Sequence, residues 1–175
     1  VHNVDPLGHD PLTAYVRPWV ESDLVNFIEH RIALAAQGGD IEIAMGFDGQ
    51  VSTTCNETEG VDKTVFPGRS IDSLINELDP GRLDLVKLDL EGADRAALVG
   101  SVETLRKYRP QLALSIYHFV PDYWDIPHFV MKLLPDYDFY LDFYSFERWE
   151  TILYGVPREL GHHPVSTALS PDPDI

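Results

Sequence analysis

The fold of this chain is decided by the stretch Leu83-Asp84-Leu85-Val86-Lys87-Leu88-Asp89-Leu90-Glu91-Gly92. Charged residues (Lys87, Asp89 and Glu91) stand at alternate positions of a segment that otherwise has the composition of a buried β-strand. Side chains two positions apart in a strand share one face, so we expect the interior face of this strand to end in two carboxylates. The helix-prone run Ala93-Asp94-Arg95-Ala96-Ala97-Leu98 follows. The unit therefore predicts strand, loop and helix, and ligands of open α/β sheets bind at such loops.

The composition indicates one globular domain of high negative charge. The 175 residues are 44% hydrophobic, and 13 Lys and Arg against 29 Asp and Glu give a formal net charge of −16. Such a charge repels nucleic acid and anionic lipid, so we expect neither as a partner. No apolar run approaches the roughly 20 residues of a membrane span. Cys55 is the only cysteine, so no intrachain disulfide can form and we expect a reducing cytoplasm.

Hydrophobic periodicity predicts an alternation of strands and helices along the chain. Strands are expected at residues 1–4, 31–35, 41–45, 50–54, 83–90 and 111–117, and helices at 20–28, 71–78, 93–99, 101–108 and 126–134. Residues 55–69 are polar and predict a loop, while the aromatic segments 137–144 and 149–154 predict a hairpin. The pattern is typical of an α/β fold with a mainly parallel sheet and an antiparallel edge. We expect an irregular tail over residues 157–175.

Four ionisable residues stand where predicted strands end: Asp5, Asp89, Glu91 and His118. Ligands of α/β folds gather at the carboxyl ends of strands, so these residues are the candidates for a site. His118 is the preferred general base, because an imidazole titrates near neutral pH. Two alternatives remain open: His118 could instead bond a neighbouring loop, and Glu91 could instead cap the next helix. Lys87 is expected to pair with one of the acids and to keep it ionised.

A longer set of motifs resembles the FkbM family of methyltransferases. These motifs are Ser70-Ile71-Asp72-Ser73-Leu74, the run from Asp84 to Asp94, Leu98, Gly100, Leu105, Pro110 and the strand ending in Tyr117-His118. The resemblance implies a Rossmann-like class I fold, a sheet with a C-terminal antiparallel hairpin, and S-adenosylmethionine as cofactor. It also implies methylation of a hydroxyl on a small molecule, sugar or lipid. The family's glycine-rich first strand has no counterpart here, so residues 1–156 are expected to form a methyltransferase-like domain that is N-terminally incomplete.

The resemblance assigns a role to Asp5, and the chemistry of methyl transfer assigns roles to the other candidates. Asp5, at the end of the strand that looks like the family's second, would accept hydrogen bonds from the cofactor ribose hydroxyls, a task that suits a carboxylate. Its alternative is a turn before Pro6. Asp89 would contact the cofactor or the acceptor, and together with Glu91 and His118 it makes up the predicted catalytic group.

Three other functions fit part of the pattern. Two carboxylates and a histidine could hold a divalent cation, with His9 and Asp10 as further ligands, although we expect no metal. The spacing of Asp84, Asp89 and Glu91 partly matches the acidic strand of family 18 glycosidases, but Lys87 replaces the middle acid and the chain is too short for their barrel. A methyltransferase-like domain that binds a partner without catalysis is the main alternative.

Overall fold

The computed structural model describes residues 1–5, 28–45, 51–52, 63–145 and 150–160. The strands are β1 (His2–Val4), β2 (Ile28–His30), β3 (Ala33–Leu34), β4 (Gly39–Met45), β5 (Val51–Ser52), β6 (Lys63–Arg69), β7 (Leu85–Leu88), β8 (Gln111–Ser115), β9 (Tyr137–Phe143) and β10 (Thr151–Pro157). The helices are α1 (Ile71–Leu78), α2 (Asp94–Val99), α3 (Val102–Tyr108) and α4 (Asp122–Leu133), and a short 3-10 helix covers Arg158–Leu160. None of the helices in these ranges is long and apolar enough to cross a bilayer.

The central sheet has the strand order β7-β8-β10-β9. β7 and β8 pair in parallel, with α2 and α3 between them in the chain, and β10 is antiparallel to both β8 and β9. Hence β7, β8 and β9 point in one direction, and their carboxyl ends lie at the same edge of the sheet. The predicted terminal hairpin is confirmed as the β9 and β10 pair, in which Tyr154 faces Tyr140.

The expectation of a mainly parallel sheet is wrong, because the described strands form mixed sheets. β1 and β2 make a parallel pair, and a further sheet has the order β3-β6-β4-β5. In that sheet only β3 and β6 are parallel, while β4 is antiparallel to both β5 and β6. A parallel pair needs a long crossover, whereas short connections between neighbouring strands produce antiparallel pairs. The α/β class itself is confirmed.

Two predictions in the first half of the chain need correction. Part of the predicted loop 55–69 is strand β6, and its glycine allows close packing: a Cβ on Gly68 would come within 2.5 Å of Ile41 Cγ1. The glycine at position 68 therefore allows β6 to pack closely against Ile41 of β4 and does not indicate a loop here. The partner of β1 is β2, which begins at Ile28, where a helix end was predicted. The rest of that helix and of the loop, together with His9, Asp10 and Cys55, lies outside the described residues.

Helix α1 begins and ends as predicted, and its caps explain why. Ser70 Oγ accepts the backbone N–H of Ser73 at 3.1 Å, which satisfies one of the unpaired N–H groups of the first turn. At the other end, Asp79 adopts a left-handed conformation with φ 40° and its N–H bonds the carbonyl of Ile75. A serine start and a left-handed stop are both local signals, so the sequence was sufficient to define this helix.

A carboxylate from α1 caps a different helix. Asp72 Oδ1 accepts the N–H of Thr104 at 2.7 Å, and Oδ2 accepts the N–H of Glu103 at 3.2 Å. Both N–H groups belong to the first turn of α3, where negative charge is favourable. The Asp72 N–H in turn donates to the carbonyl of Gly100 at 2.8 Å. These bonds fix α1 against the connection between α2 and α3.

The hydrophobic core lies between the central sheet and its helices. Its buried members are Ile71, Leu88, Ala97, Leu98, Leu105, Leu112, Leu114, Ile116, Ile126, Val130, Leu134, Tyr137 and Leu153. Helix α4 begins at Asp122, one turn earlier than predicted, so Pro127 lies in its second turn rather than its first. The burial of Ile126 and Val130, four residues apart on one face, shows how this helix contacts the sheet.

The end of the described chain continues past the hairpin. β10 runs to Pro157, which is fully buried, and the 3-10 helix follows it. There, Glu159 pairs with the guanidinium of Arg109, which also lies over the Tyr137 ring. Residues 161–175, the greater part of the predicted tail, lie outside the described residues.

Candidate functional site

The carboxyl ends of β7 and β8 bring two polar loops together. Asp89 directly follows β7, and His118 comes three residues after β8. Since the two strands are parallel neighbours, with Leu88 opposite Leu114, the loops that follow them leave the sheet side by side. Asp89, Glu91 and His118, separated in sequence by up to 29 positions, therefore meet at one edge, as the sequence predicted.

The strand face on which these charges were expected is not the buried one. In β7 the side chain of Leu88 is buried, whereas the side chain of Lys87 is 61% exposed. Asp89 and Glu91 lie beyond the strand, with side chains 35% and 52% exposed. A strand places alternate residues on opposite faces, and in β7 the face of Val86 and Leu88 packs on the core while that of Leu85 and Lys87 does not. The two acids thus border the site from its solvent side instead of extending a buried row.

The loop after β7 has an unusual backbone. Glu91 and Gly92 both have positive φ, 50° and 98°, and a left-handed glutamate is uncommon enough to indicate a constrained loop. Asp94 holds this loop, since its carboxylate accepts the Leu90 N–H at 3.1 Å and the Gly92 N–H at 3.3 Å. A Cβ on Gly92 would meet Phe119 Cε2 at 2.2 Å. Glycine is therefore needed at this position both for its φ and for the space it leaves.

His118 is at the centre of the cluster. Its side chain is only 5% exposed, with Nε2 3.5 Å from Asp89 Oδ1 and 3.6 Å from Glu91 Oε2. On the other side of the ring, Nδ1 lies 3.1 Å from Asp94 Oδ2. These are ion-pair distances, but neither ring nitrogen makes a hydrogen bond of good geometry. The ring also contacts Tyr117, with 4.3 Å between the centroids.

The charges of the cluster shift the acid–base properties of its members. Burial by itself lowers the pKa of His118, but Asp94 and then Glu91 and Asp89 outweigh it and hold this pKa above its usual value of 6.5. Burial raises the pKa of Glu91 above 4.5, and the charge of His118 only partly opposes this. The surrounding carboxylates thus make the ring a stronger base than an isolated imidazole.

Asp89 is kept ionised by two neighbours. Lys87 Nζ donates to Asp89 Oδ2 at 3.1 Å, and Tyr117 Oη donates to Asp89 Oδ1 at 3.2 Å. Burial raises the pKa of Asp89, but these contacts outweigh it, so the pKa falls below the usual 3.8. The predicted pairing of Lys87 with an acid of this loop is confirmed. Burial is the main reason that the pKa of Tyr117 is raised, and the adjacent carboxylate of Asp89 raises it further.

Asp5 belongs to another sheet. It directly follows β1, is half-buried, and donates its N–H to the carbonyl of His30 at 3.0 Å. Asp5 therefore lies at the end of a strand, as predicted, and that strand, β1, has the parallel neighbour β2. The structure groups Asp89, Glu91 and His118 through direct contacts and adds Asp94, Lys87 and Tyr117 to them, whereas Asp5 stands in the separate β1 and β2 pair.

Asp94 is the functional candidate to which sequence reasoning gave no role. It is fully buried, although it is an acid at the first position of a helix. The signal was present: an acid three residues after Glu91 ends the motif that resembles the FkbM family, at the first position of a helix. What the sequence could not reveal is that one carboxylate reaches both the loop amides and the histidine of another loop.

Comparison with known proteins identifies the family and the fold. The family described as the methyltransferase FkbM domain matches residues 9–141, well over half of the chain. The chain belongs to the FkbM methyltransferase family. The crystal structure of methyltransferase FkbM from Methylobacillus flagellatus KT superposes with a TM-score of 0.64 at 22% sequence identity, which shows that the FkbM domain described here shares its fold. No curated protein matches the chain.

The compared structure is longer than this FkbM domain. The match covers 88% of the present chain and 35% of that chain. The family and the fold are thus established for this chain, and the loop from Lys87 to Asp94 lies inside the matched residues.

Proposed function

We propose that this FkbM domain takes part in S-adenosylmethionine-dependent O-methyl transfer to a hydroxyl of a small molecule, sugar or lipid. Membership of the family supports methyl transfer in general. The observation that carries the proposal is the buried His118 ring, whose Nε2 faces two carboxylates at the edge of the sheet where β7 and β8 end. Ligands of α/β folds collect at that edge.

The cluster has the groups that methylation of a hydroxyl requires. His118 Nε2 accepts the proton of the acceptor hydroxyl, and the neighbouring carboxylates of Asp89 and Glu91 stabilise the resulting imidazolium. Asp89 also offers an acceptor that orients the hydroxyl, because Lys87 and Tyr117 fix its carboxylate. Such positioning of the reacting groups is a large part of the catalysis of a displacement. The cofactor, when bound, supplies the methyl group as a sulfonium.

The ribose side of the cofactor is assigned to Asp5. Its half-buried carboxylate follows a strand that has a parallel neighbour, and one carboxylate can accept hydrogen bonds from two adjacent hydroxyls. The Asp5 carboxylate therefore suits the two adjacent hydroxyls of a ribose. Asp89 is the second proposed contact, at the end of β7. The proposed roles are thus Asp5 and Asp89 for the cofactor and His118, Asp89 and Glu91 for catalysis.

The setting of the reaction follows from charge and composition. A formal net charge of −16 opposes binding to nucleic acid, so the proposed acceptor is not a polynucleotide. A chain with a single cysteine has no need of an oxidising compartment, which supports a cytoplasmic location.

The test is a methyl-transfer assay on the protein that carries this chain. Labelled S-adenosylmethionine is incubated with a panel of hydroxyl acceptors, and S-adenosylhomocysteine binding is measured by calorimetry. His118→Ala and Asp89→Asn should lower kcat by roughly 10²- to 10⁴-fold, the usual contribution of a positioned base. Asp5→Ala should weaken S-adenosylhomocysteine binding, whereas His118→Ala should leave it within about twofold.

A remote carboxylate supplies the control. Asp84 pairs with Arg82 in the exposed connection before β7, so Asp84→Asn should retain full transfer. If S-adenosylhomocysteine does not bind at all, the proposal fails and the non-catalytic binding domain takes its place. If the cofactor binds but His118→Ala transfers methyl groups as fast as the unaltered protein, the proposed role of His118 is wrong.

A further inference from the structure

A possible cation site is present in the described residues. One ligand atom from each of Asp89, Glu91 and His118 can be chosen so that all three lie within 4.8 Å of one another, and no other group of three in the described ranges does so. Acidic groups near a surface are common, so the carboxylates by themselves identify nothing. The histidine is the second observation: its ring is 95% buried, given a side-chain exposure of 5%, and Nε2, without a hydrogen-bond partner, points towards both acids.

Two of the three distances between the ligand atoms are close to those around a bound ion. Nε2 lies 3.5 Å and 3.6 Å from the two carboxylate oxygens. Ligands bound to a transition ion at about 2.1 Å in tetrahedral geometry are roughly 3.4 Å apart. These distances are too long for strong hydrogen bonds between the groups, whose usual range is about 2.7–3.2 Å. An ion between the three atoms could therefore be reached with small side-chain movements.

A carboxylate lies next to the other nitrogen of the His118 ring, as is common for histidines that bind metals. Asp94 Oδ2 lies 3.1 Å from Nδ1, and Asp94 is itself held by the backbone N–H groups of Leu90 and Gly92. A carboxylate at this ion-pair distance favours a proton on Nδ1, which leaves the lone pair of Nε2 for the ion. The ring is therefore oriented before any ligand arrives.

The charge of the group suits a dication. The carboxylates of Asp89, Glu91 and Asp94 contribute three negative charges, and Lys87, bonded to Asp89 Oδ2 at 3.1 Å, contributes one positive charge. The sum, three negative and one positive, is −2 when His118 is neutral, and a divalent cation would balance it. We propose that Asp89, Glu91 and His118 bind a divalent first-row transition cation, with Asp94 as the carboxylate that orients the histidine.

The kind of ion follows from the ligand atoms. One imidazole nitrogen and two carboxylate oxygens favour ions such as Zn²⁺ or Mn²⁺, whereas Mg²⁺ and Ca²⁺ prefer oxygen ligands alone. This site does not depend on the proposed methyl transfer, since it rests on the three side chains only. An ion on Nε2 and a proton on Nε2 are alternatives, so cation binding and proton acceptance by His118 would exclude each other.

The experiment measures binding of Zn²⁺ to the chelator-treated protein, without an affinity tag, by calorimetry. We expect one site that is lost in His118→Ala and in the double variant Asp89→Asn, Glu91→Gln. The matched control is His128→Ala, which removes an exposed histidine of α4 and should leave the site intact. Mg²⁺ should bind at least tenfold more weakly than Zn²⁺.

Two further variants make the test sharper. Asp94→Asn should weaken binding about 10- to 100-fold, as expected for a carboxylate behind a ligating histidine. Lys87→Met should strengthen binding by roughly fivefold, because it removes a positive charge close to the ion. Circular dichroism checks that each variant is folded. The proposal is overturned if Zn²⁺ does not bind, or if it binds equally well to folded protein that lacks His118 or both carboxylates, and either result leaves methyl transfer untouched.

Discussion

Replacing Asp94 with asparagine is the sharpest test of how the site is built. The carboxylate is buried and has two oxygens, which serve the N–H groups of Leu90 and Gly92 and the Nδ1 atom of His118. Asparagine has nearly the same shape but only one acceptor oxygen. Its amide N–H₂ must therefore face at least one of these donors. The substitution changes hydrogen bonding and charge while leaving the packing volume almost unchanged.

The expected cost follows from those contacts. A hydrogen bond to a charged group contributes about 1.5–3 kcal/mol, and a buried donor left without an acceptor costs about 1–3 kcal/mol. The bond to Gly92 is long, at 3.3 Å, which places it in the lower part of that range. The substitution removes one charged acceptor and leaves one donor unsatisfied. Together these effects should lower the free energy of unfolding by roughly 2–4 kcal/mol.

The assay is urea unfolding followed by circular dichroism, with a chelator present throughout. Asp84→Asn is the control, because Asp84 is exposed and its pair with Arg82 lies at the surface, where such pairs contribute about 0–1 kcal/mol. A double-mutant cycle with His118→Gln should give a coupling energy of at least about 1 kcal/mol. If Asp94→Asn costs no more than the control, or if the coupling is zero, Asp94 does not hold the loop and the histidine together.

Three other substitutions test the scaffold that carries the site. Asp72→Ala removes the acceptor of two N–H groups in the first turn of α3 and should lower the free energy of unfolding in urea by about 1–2 kcal/mol; unchanged stability would refute the cap. Gly100→Ala places a Cβ 2.4 Å from the carbonyl oxygen of Ala35 and should cost about 1–3 kcal/mol in the same titration, whereas a stability gain would mean that the contact relaxes freely. Arg109 lowers the pKa of Glu159 from 4.5 to about 2, so the stability lost in Glu159→Gln should be constant above pH 4.5 and vanish as the pH falls through about 2. Thermal unfolding of both proteins from pH 2 to 7 measures this difference in stability, and an equal difference at pH 2 and at pH 7 would contradict the prediction.

The elements that the sequence predicted best are those with local signals. Helix α1 is bounded by Ser70 and Asp79, whose cap bonds involve residues three or four positions away, and the hairpin of β9 and β10 is apparent from its aromatic and β-branched residues. The predictions failed where pairing partners are distant. β6 was predicted as a loop because residues 55–69 are polar and contain glycine, yet β4 pairs with β6 from Lys63 to Gly68. A composition window cannot reveal a partner strand that lies elsewhere in the sequence.

The sequence by itself determined the family, the α/β class, and the choice of Asp89, Glu91 and His118, because residue types and their spacing are linear properties. Only the tertiary structure decided that the sheets are mixed, that Lys87 faces solvent, and that Asp94 reaches His118. The physical reason is that burial and the pairing of charges depend on distances through space. Two parallel strands bring residues 94 and 118 within 3.1 Å, and no local preference of either residue specifies that contact.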